Sequence, residues 1–366
     1  MGQQRHRHRH RHTVAINTGG GDCPGLNAVI RAVVKRGQLE LGWKIIGIED
    51  SFDGLLSDEM RVRELDRASI AGALTKGGTI LGSTNRGNPF RYGRRDGNAI
   101  DLSKRVATRL KELGCEGLIA LGGDGTMAIC HELSQRTGVK IVGVPKTIDN
   151  DLTGTDTTFG FNSAVEFATQ AVDRLHSTAE SHDRIMVVEV MGRNAGFIAL
   201  HCGVAGGADA ILIPEVPFDL RAVANKILER KAMGRYFSII VVSEGARAKG
   251  SEPSDSKSLR LRSIGRSVAA ELSEMTGIES RDTVLGYLLR GGIPSAYDRI
   301  LATRLGNHAC SLVEAGNWDR MVAIHANEMS SVSLVEAASG TKQVDLGGDL
   351  VATARGVGIV FGDEEI

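Results

Sequence analysis

Two short turns concentrate the residues that could do chemistry: Gly122–Thr126, GGDGT, and Pro145–Asp151, PKTIDND. In the first, glycines close an apolar strand pattern and open a helix pattern. Such a turn presents backbone N–H groups with no side chain in the way, and the helix start adds partial positive charge, so an anion is favoured. Asp124 lies beside this cradle, where a carboxylate suits Mg²⁺ shared with phosphate oxygens. A plain helix cap is the competing reading. In the second turn, Asp149 and Asp151 flank Asn150. One carboxylate can take a proton from a substrate hydroxyl while another group orients it. Phosphoryl transfer needs such parts, although two solvated turn acids would show the same spacing.

Two more strand-end segments add to these. Thr18–Asn27, TGGGDCPGLN, runs from strand through glycine turn to helix. It lacks the Gly-Lys-Ser/Thr of a Walker loop and the spacing of GxGxxG. Val188–Gly196, VEVMGRNAG, puts Arg193 just after a strand. A guanidinium there can clamp a phosphoryl group; a surface arginine is the alternative.

The elements that must hold these turns follow from periodicity. Val14 and Ile16 read as strand, and Leu26, Val29, Ile30 and Val33 recur at helical spacing. Further helices are predicted near Lys104–Leu113, Met127–Arg136, Ser163–Ala179, Ala195–Val204, Leu220–Lys231, Leu259–Met275 and Tyr297–Ala315. Strands are predicted at Gly117–Leu121, Lys140–Val144, RIMVVEV, AILIP, FSIIVVSEG and RDTVLGYL. Alternating apolar strands and helices imply two three-layer α/β domains with mostly parallel sheets. Ligands of open α/β sheets bind at the carboxyl ends of strands, and each glycine-rich turn falls at such an end. The expected organisation is a flexible His/Arg-rich extension at 1–12 and a donor-binding domain at 13–156, completed by about 289–330. A second domain at 157–288 and a C-terminal segment at 331–366 follow. Arg247–Ser258 reads as an exposed loop, and the segment from Gly340 onward carries no usable motif.

Composition narrows the class. The 366 residues are 42% hydrophobic and 24% charged, as in a globular protein, and 44 Lys plus Arg balance 44 Asp plus Glu. A global basic footprint for nucleic acid is absent. The five cysteines are scattered, without a CxxC pair. That argues against a disulfide framework or zinc site and for a reducing compartment. No apolar run approaches the ~20 residues of a membrane span, and no signal-peptide core precedes Thr13. A cytoplasmic location is the expectation.

GGGDCPGLN, GGDGT, PKTIDND, MGRNAG and TVLGYLLRGGIPSAYDRILATRLG stand in the order seen in the 6-phosphofructokinase family. The chain resembles that family from about Thr13 to beyond Leu305. Kinases of NAD and diacylglycerol match only at GGDGT. The resemblance implies a phosphofructokinase-like fold and transfer of a phosphoryl group to the 1-hydroxyl of fructose 6-phosphate. By motif, Asp149 is the base, Thr147 and Arg193 stabilise the moving group, and Asp124 holds Mg²⁺. Donor contacts map onto Gly20, Gly21, Phe52, Arg86, Gly123, Asp124, Gly125, Thr126 and Lys146. Sugar contacts map onto Thr147, Asp149, Asp151, Met191, Gly192, Arg193, Glu244, Tyr287 and Arg290. Arg184 and Arg281 match arginines that reach the neighbouring subunit's 6-phosphate, which implies a homo-oligomer, tetramer or dimer, with shared sites.

Two positions depart from the family pattern. LGYLLRGG stands where LGHxQRGG is usual, so Tyr287 replaces a histidine, and Arg86 lies one place later than the commoner GSxR. A phenol can still donate a hydrogen bond. The donor signals conflict. Pyrophosphate enzymes of the family commonly carry Asp at the position of Gly125, where its charge fills the space of a nucleotide's α-phosphate, whereas Lys146 is their usual lysine. The mixed pair is found in a subgroup that resembles them yet uses ATP. The expectation is therefore an ATP-dependent 6-phosphofructokinase. A pyrophosphate-dependent enzyme and a catalytically weak regulatory subunit are the alternatives. Allosteric control is also implied, with Arg31 at a family effector position and Lys35 one turn later.

Overall fold

The computed structural model describes residues 12–93, 99–251 and 263–365. The predicted extension at 1–12, all but His12, lies outside the described residues, as do the end of the predicted 247–258 loop and the predicted helix start at 259–262. The elements, in chain order, begin with β1 (Thr13–Thr18), α1 (Leu26–Leu39), β2 (Lys44–Ile48), α2 (Asp53–Leu56), β3 (Val62–Leu65), β4 (Tyr92–Gly93) and β5 (Ala99–Ile100). Then come α3 (Ser103–Glu112), β6 (Gly117–Gly122), α4 (Asp124–Thr137), β7 (Ile141–Thr147), β8 (Phe159–Gly160), α5 (Phe161–His182), β9 (Ile185–Val190) and α6 (Phe197–Ala205). The chain continues through β10 (Ala210–Leu212), α7 (Leu220–Ala232), β11 (Ser238–Ser243), α8 (Ile264–Thr276), β12 (Ser280–Val284) and α9 (Ala296–Glu314). It ends with β13 (Arg320–His325), β14 (Glu328–Ser333), α10 (Leu334–Ala337) and α11 (Asp349–Gly356).

The chain forms two compact units. The first takes the described residues up to Thr147, with Leu152–Gly160 and Arg290–Gly340. Its eight-stranded sheet runs β14-β13-β7-β6-β1-β2-β3, with β8 on β7. The β1, β2, β6, β7, β8 and β13 pairings are parallel, and both edges, β3 and β14, are antiparallel. The middle strands are apolar and buried along their length, as a sheet covered on both faces requires.

The second unit holds Ile148–Asp151 and the described residues of 161–289 and 341–365. Its sheet, β10-β11-β9-β12, is parallel throughout. Ile185, Val187, Ile240, Val242, Val268 and Leu272 are among its core residues. Of the C-terminal segment, the part from Thr341 onward belongs to this unit and 331–340 to the first: the Ile211 N–H donates to the Val360 carbonyl at 2.9 Å, and Phe361 is fully buried.

The sequence-predicted strand RDTVLGYL is shorter than expected. It stops at Val284, and Gly286–Arg290 forms a 3-10 turn instead. Gly286 has φ +47°, a conformation that ends strand pairing and suits glycine. All five cysteines are free, and no helix among the described residues is long and apolar enough to cross a membrane.

In the first unit, α1 and α9 meet without slack. A Cβ added at Gly306 of α9 would stand 2.8 Å from the Val29 carbonyl oxygen and 3.0 Å from the Ala32 Cβ, both on α1. Gly306→Ala should therefore destabilise despite its better helix propensity, by about 1–3 kcal/mol of overpacking. Urea unfolding would show it as a lower midpoint; an unchanged midpoint would mean the helix pair can spread at no cost.

Candidate active site

The first unit gathers its site around Gly19–Gly21, at the carboxyl end of β1. A Cβ at Gly19 would lie 2.9 Å from the Thr126 Oγ1 and 3.1 Å from the Ser51 Oγ. Gly20 has φ +78°, and its added Cβ would be 3.3 Å from the Lys146 Nζ. One at Gly21 would be 2.5 Å from the Arg290 Nη1. Glycine at these positions leaves room for side chains from four other segments, Thr126, Ser51, Lys146 and Arg290. Lys146, only 4% exposed, donates from Nζ to the Gly21 carbonyl at 2.6 Å. Arg290, mapped to the sugar by motif, donates to the Asp22 carbonyl at 3.2 Å.

The GGDGT turn stands beside it. Gly123 is the residue before α4, and Asp124 and Gly125 are exposed in the first turn of that helix. Thr126 is buried and turned toward Gly19 and Gly122. A Cβ at Gly125 would meet nothing within 4 Å. Thr147 ends β7, with its carbonyl accepting from the Thr158 hydroxyl at 2.7 Å.

Two mapped donor residues look different from their motif. Phe52 is buried in the first unit's core with Ile48, Leu55 and Met127, so its side chain packs rather than faces a ligand. Arg86 is exposed, and the nearest side chain of its loop to Gly20 is that of Asn85, whose Oδ1 is 3.8 Å from the added Cβ position. Ser83 ties the same loop down, donating to the Gly20 carbonyl at 2.6 Å. Asn85 and Ser83 escaped sequence reasoning because the loop is one residue out of step with GSxR.

In the second unit, Asp149, Asn150 and Asp151 form a turn in which Asn150 has φ +53° and Asp151 is buried. Asparagine is among the few non-glycine residues that accept this conformation. Gly192, at φ +127°, and the exposed Arg193 follow β9 directly, with Met191 half-buried. Their backbone is pinned to the next strand end: the Glu244 N–H donates to Val190 O at 2.8 Å and the Gly245 N–H to Gly192 O at 3.2 Å. A Cβ at Gly245 would stand 1.9 Å from the Arg193 carbonyl oxygen, so no other residue fits there.

Arg184 and Arg281 sit at the opposite end of the same strands. Arg184 precedes β9, and Arg281 pairs with Met186 in the β12–β9 register. The six residues of β9 separate Arg184 from Met191–Arg193, a span of roughly 20 Å at about 3.3 Å per residue. Glu279, not foreseen, ion-pairs with both arginines: its Oε2 is 2.8 Å from the Arg184 Nε, and its other oxygen takes the Arg281 guanidinium. The Arg184 hydrogen bond foremost holds its carboxyl below the usual range. Tyr287 is 82% exposed on the 3-10 turn. Away from these turns, in the first unit, Arg31, Lys35 and Arg67 line a cavity of about 800 Å³.

Glycine turns and acids of this kind, at the carboxyl ends of parallel strands, have counterparts in known proteins. The family model described as Phosphofructokinase matches residues 13–313. A Chloroflexus aggregans protein named ATP-dependent 6-phosphofructokinase is 49% identical over 354 residues, 96% of this chain and 98% of its own. A Streptomyces coelicolor protein named pyrophosphate–fructose 6-phosphate 1-phosphotransferase is 47% identical over 356 residues, covering 95% of this chain and 99% of its own. The solved phosphofructokinase of Saccharomyces cerevisiae superposes with TM-score 0.75 at 31% identity, over 90% of this chain but 45% of the longer yeast chain. With the full motif series on strand ends and near-complete coverage of relatives at almost half identity, the chain belongs to the phosphofructokinase family.

Proposed function

We propose that the protein is an ATP-dependent 6-phosphofructokinase, transferring the γ-phosphoryl group of ATP to the 1-hydroxyl of fructose 6-phosphate. The first unit would take the donor and the second the sugar. The Gly21 N–H and the α4 N-terminus would meet phosphate oxygens, the Gly19 and Gly20 N–H groups being used on the Leu121 and Thr84 carbonyls. Among the described residues no group of three or more His, Cys, Asp or Glu is placed to hold a metal. One exposed carboxylate, Asp124, therefore fits Mg²⁺ carried mostly by phosphate oxygens. When bound, that ion would neutralise charge on the donor's phosphates. Asp149 would accept the proton of the sugar hydroxyl, Asp151 would orient the sugar, and Arg193 and Thr147 would face the moving phosphoryl group.

The observation that carries the donor assignment is the open space at Gly125. Nothing in the protein needs glycine there, yet an aspartate would put a carboxylate at the head of α4, where a nucleotide's phosphates would run. Pyrophosphate is the second reading, favoured by Lys146 beside Gly20 and by the name of the Streptomyces relative. Arg184 and Arg281 stand too far along β9 from Arg193 to share its ligand within one chain. Their best use is a neighbouring subunit's 6-phosphate, hence a homo-oligomer. The cavity of Arg31, Lys35 and Arg67 would suit an anionic effector.

A donor comparison tests this reading. The purified chain, given fructose 6-phosphate and Mg²⁺, should turn over with ATP, and strong turnover with pyrophosphate alone would reverse the donor. Gly125→Asp should leave the melting temperature unchanged or slightly raised, because an acid in a helix's first turn is favourable. It should raise the ATP KM more than tenfold, and an unaltered ATP KM would remove the steric argument. Asp149→Asn should cut kcat by about 10²–10⁴-fold with both KM values within a few-fold of wild type. Steady-state kinetics would reveal a spectator Asp149 as an unchanged kcat.

A further inference from the structure

The segment after Gly340 carries no motif, yet it touches both sugar-side turns of the second unit. The Lys342 N–H donates to the Asp151 carbonyl at 2.7 Å, and the Val344 N–H to the Glu215 Oε1 at 2.9 Å. The same Glu215 carboxylate accepts the Gly196 N–H, at 3.0 Å on Oε1 and 3.1 Å on Oε2. Gly196 is the residue before α6 and ends the segment that carries Met191, Gly192 and Arg193. Lys342 also lays its ammonium 5.3 Å from the centre of the Phe197 ring, on the first residue of α6. One carboxylate and one extended stretch thus bind the arginine turn and the Asp149–Asp151 turn to each other.

The fit leaves little freedom. A Cβ at Gly196 would stand 2.4 Å from the Ile213 Cβ and 3.0 Å from the Glu215 Oε2, so the α6 start is pressed against the Ile213–Glu215 segment. A carboxylate accepting backbone N–H groups at a helix start makes hydrogen bonds roughly twice as strong as neutral ones, and its charge complements the helix dipole. A neutral amide is a poorer replacement, because it loses the charge and its NH₂ would face the Gly196 N–H, which also donates to Oε2.

We infer that Glu215, through the 341–344 segment, is a positioning residue for the reaction: it fixes Arg193 and the Asp149–Asp151 turn in the arrangement that receives the sugar. The inference rests on the functional reading above for its kinetic consequence but not for the clamp itself. Two measurements on the full-length chain keep these apart.

Hydrogen exchange of Glu215→Gln tests the clamp. Peptides covering 191–197 and 148–151 should exchange at least tenfold faster than in wild type, while the first unit's β1 and β6 keep their protection. Equal rates in both peptides would overturn the inference, whatever the protein's activity. Kinetics test the consequence. Glu215→Gln should lower kcat/KM for fructose 6-phosphate about 10- to 100-fold and leave the ATP KM within twofold. Val344→Pro, which deletes one of the two N–H donors to Glu215, should repeat that split more mildly. Lowered melting temperatures with unchanged fructose 6-phosphate kinetics in both variants would mean a merely structural role. Absence of wild-type turnover would sink the functional reading and leave the exchange result to decide the clamp.

Discussion

The first unit depends on how closely the Gly19–Gly21 backbone is approached. Thr126 from α4, Ser51 after β2, Lys146 from β7 and Arg290 before α9 all end within reach of where a side chain would begin. Filling any of these positions would push those groups apart. Two of the loop's N–H groups are used within the protein, Gly19 donating to the Leu121 carbonyl at 2.8 Å and Gly20 to the Thr84 carbonyl at 3.3 Å, so the loop is held by its neighbours, and the Gly21 N–H is the one a phosphate would meet. The sheet order serves this arrangement. β1 lies between β6 and β2, so the turns after β1 and β6 are neighbours at one end of the sheet, and β7, next to β6, delivers Lys146.

The second unit solves a related problem with charge rather than absence of side chains. Its parallel strands put Met191–Arg193 and Glu244 at one end and Arg184 with Arg281 at the other. A single carboxylate, Glu279, keeps the two guanidinium groups together at the far end. Glu279 and Arg281 are exposed there and Arg184 partly so, so the pairing contributes little to stability. Its effect is to hold like charges side by side, which is what a dianionic phosphate would require of them. At the near end Glu215 does the corresponding work for backbone rather than side chains, and Gly245 leaves space for the Arg193 carbonyl.

The legible parts of the sequence were those whose physics is local. Helix periods, apolar strands and glycine turns all appear in a window of a dozen residues, so the alternating α/β architecture and the strand-end location of GGDGT, PKTIDND and MGRNAG could be read directly. The strand at RDTVLGYL is shorter than its pattern because the apolar and aromatic Tyr287 and Leu288 continue past Gly286, whose positive φ outweighs them. What stayed hidden was contact between distant segments. Nothing near Phe52 announces that its ring belongs to the core, and nothing in TKQV announces that two of its amides would meet Asp151 and Glu215. Asn85 could have been found by keeping GSTNR in register with GSxR, which puts Asn85 and not Arg86 at the arginine's position.

The apparent conflict between Gly125 and Lys146 also resolves into two different physical roles. Gly125 faces open space; its influence is on what enters from outside. Lys146 is nearly buried and donates to the Gly21 carbonyl, so part of its task is to hold the glycine loop in shape. Its charge beside that loop favours any phosphate chain, long or short, and cannot by itself distinguish a nucleotide from pyrophosphate. Discrimination has to come from the position where the two donors differ in extent, which is the side of the cradle where Gly125 adds neither bulk nor charge. A lysine that supports the cradle and a glycine that leaves it open would then be compatible parts of the proposed ATP site.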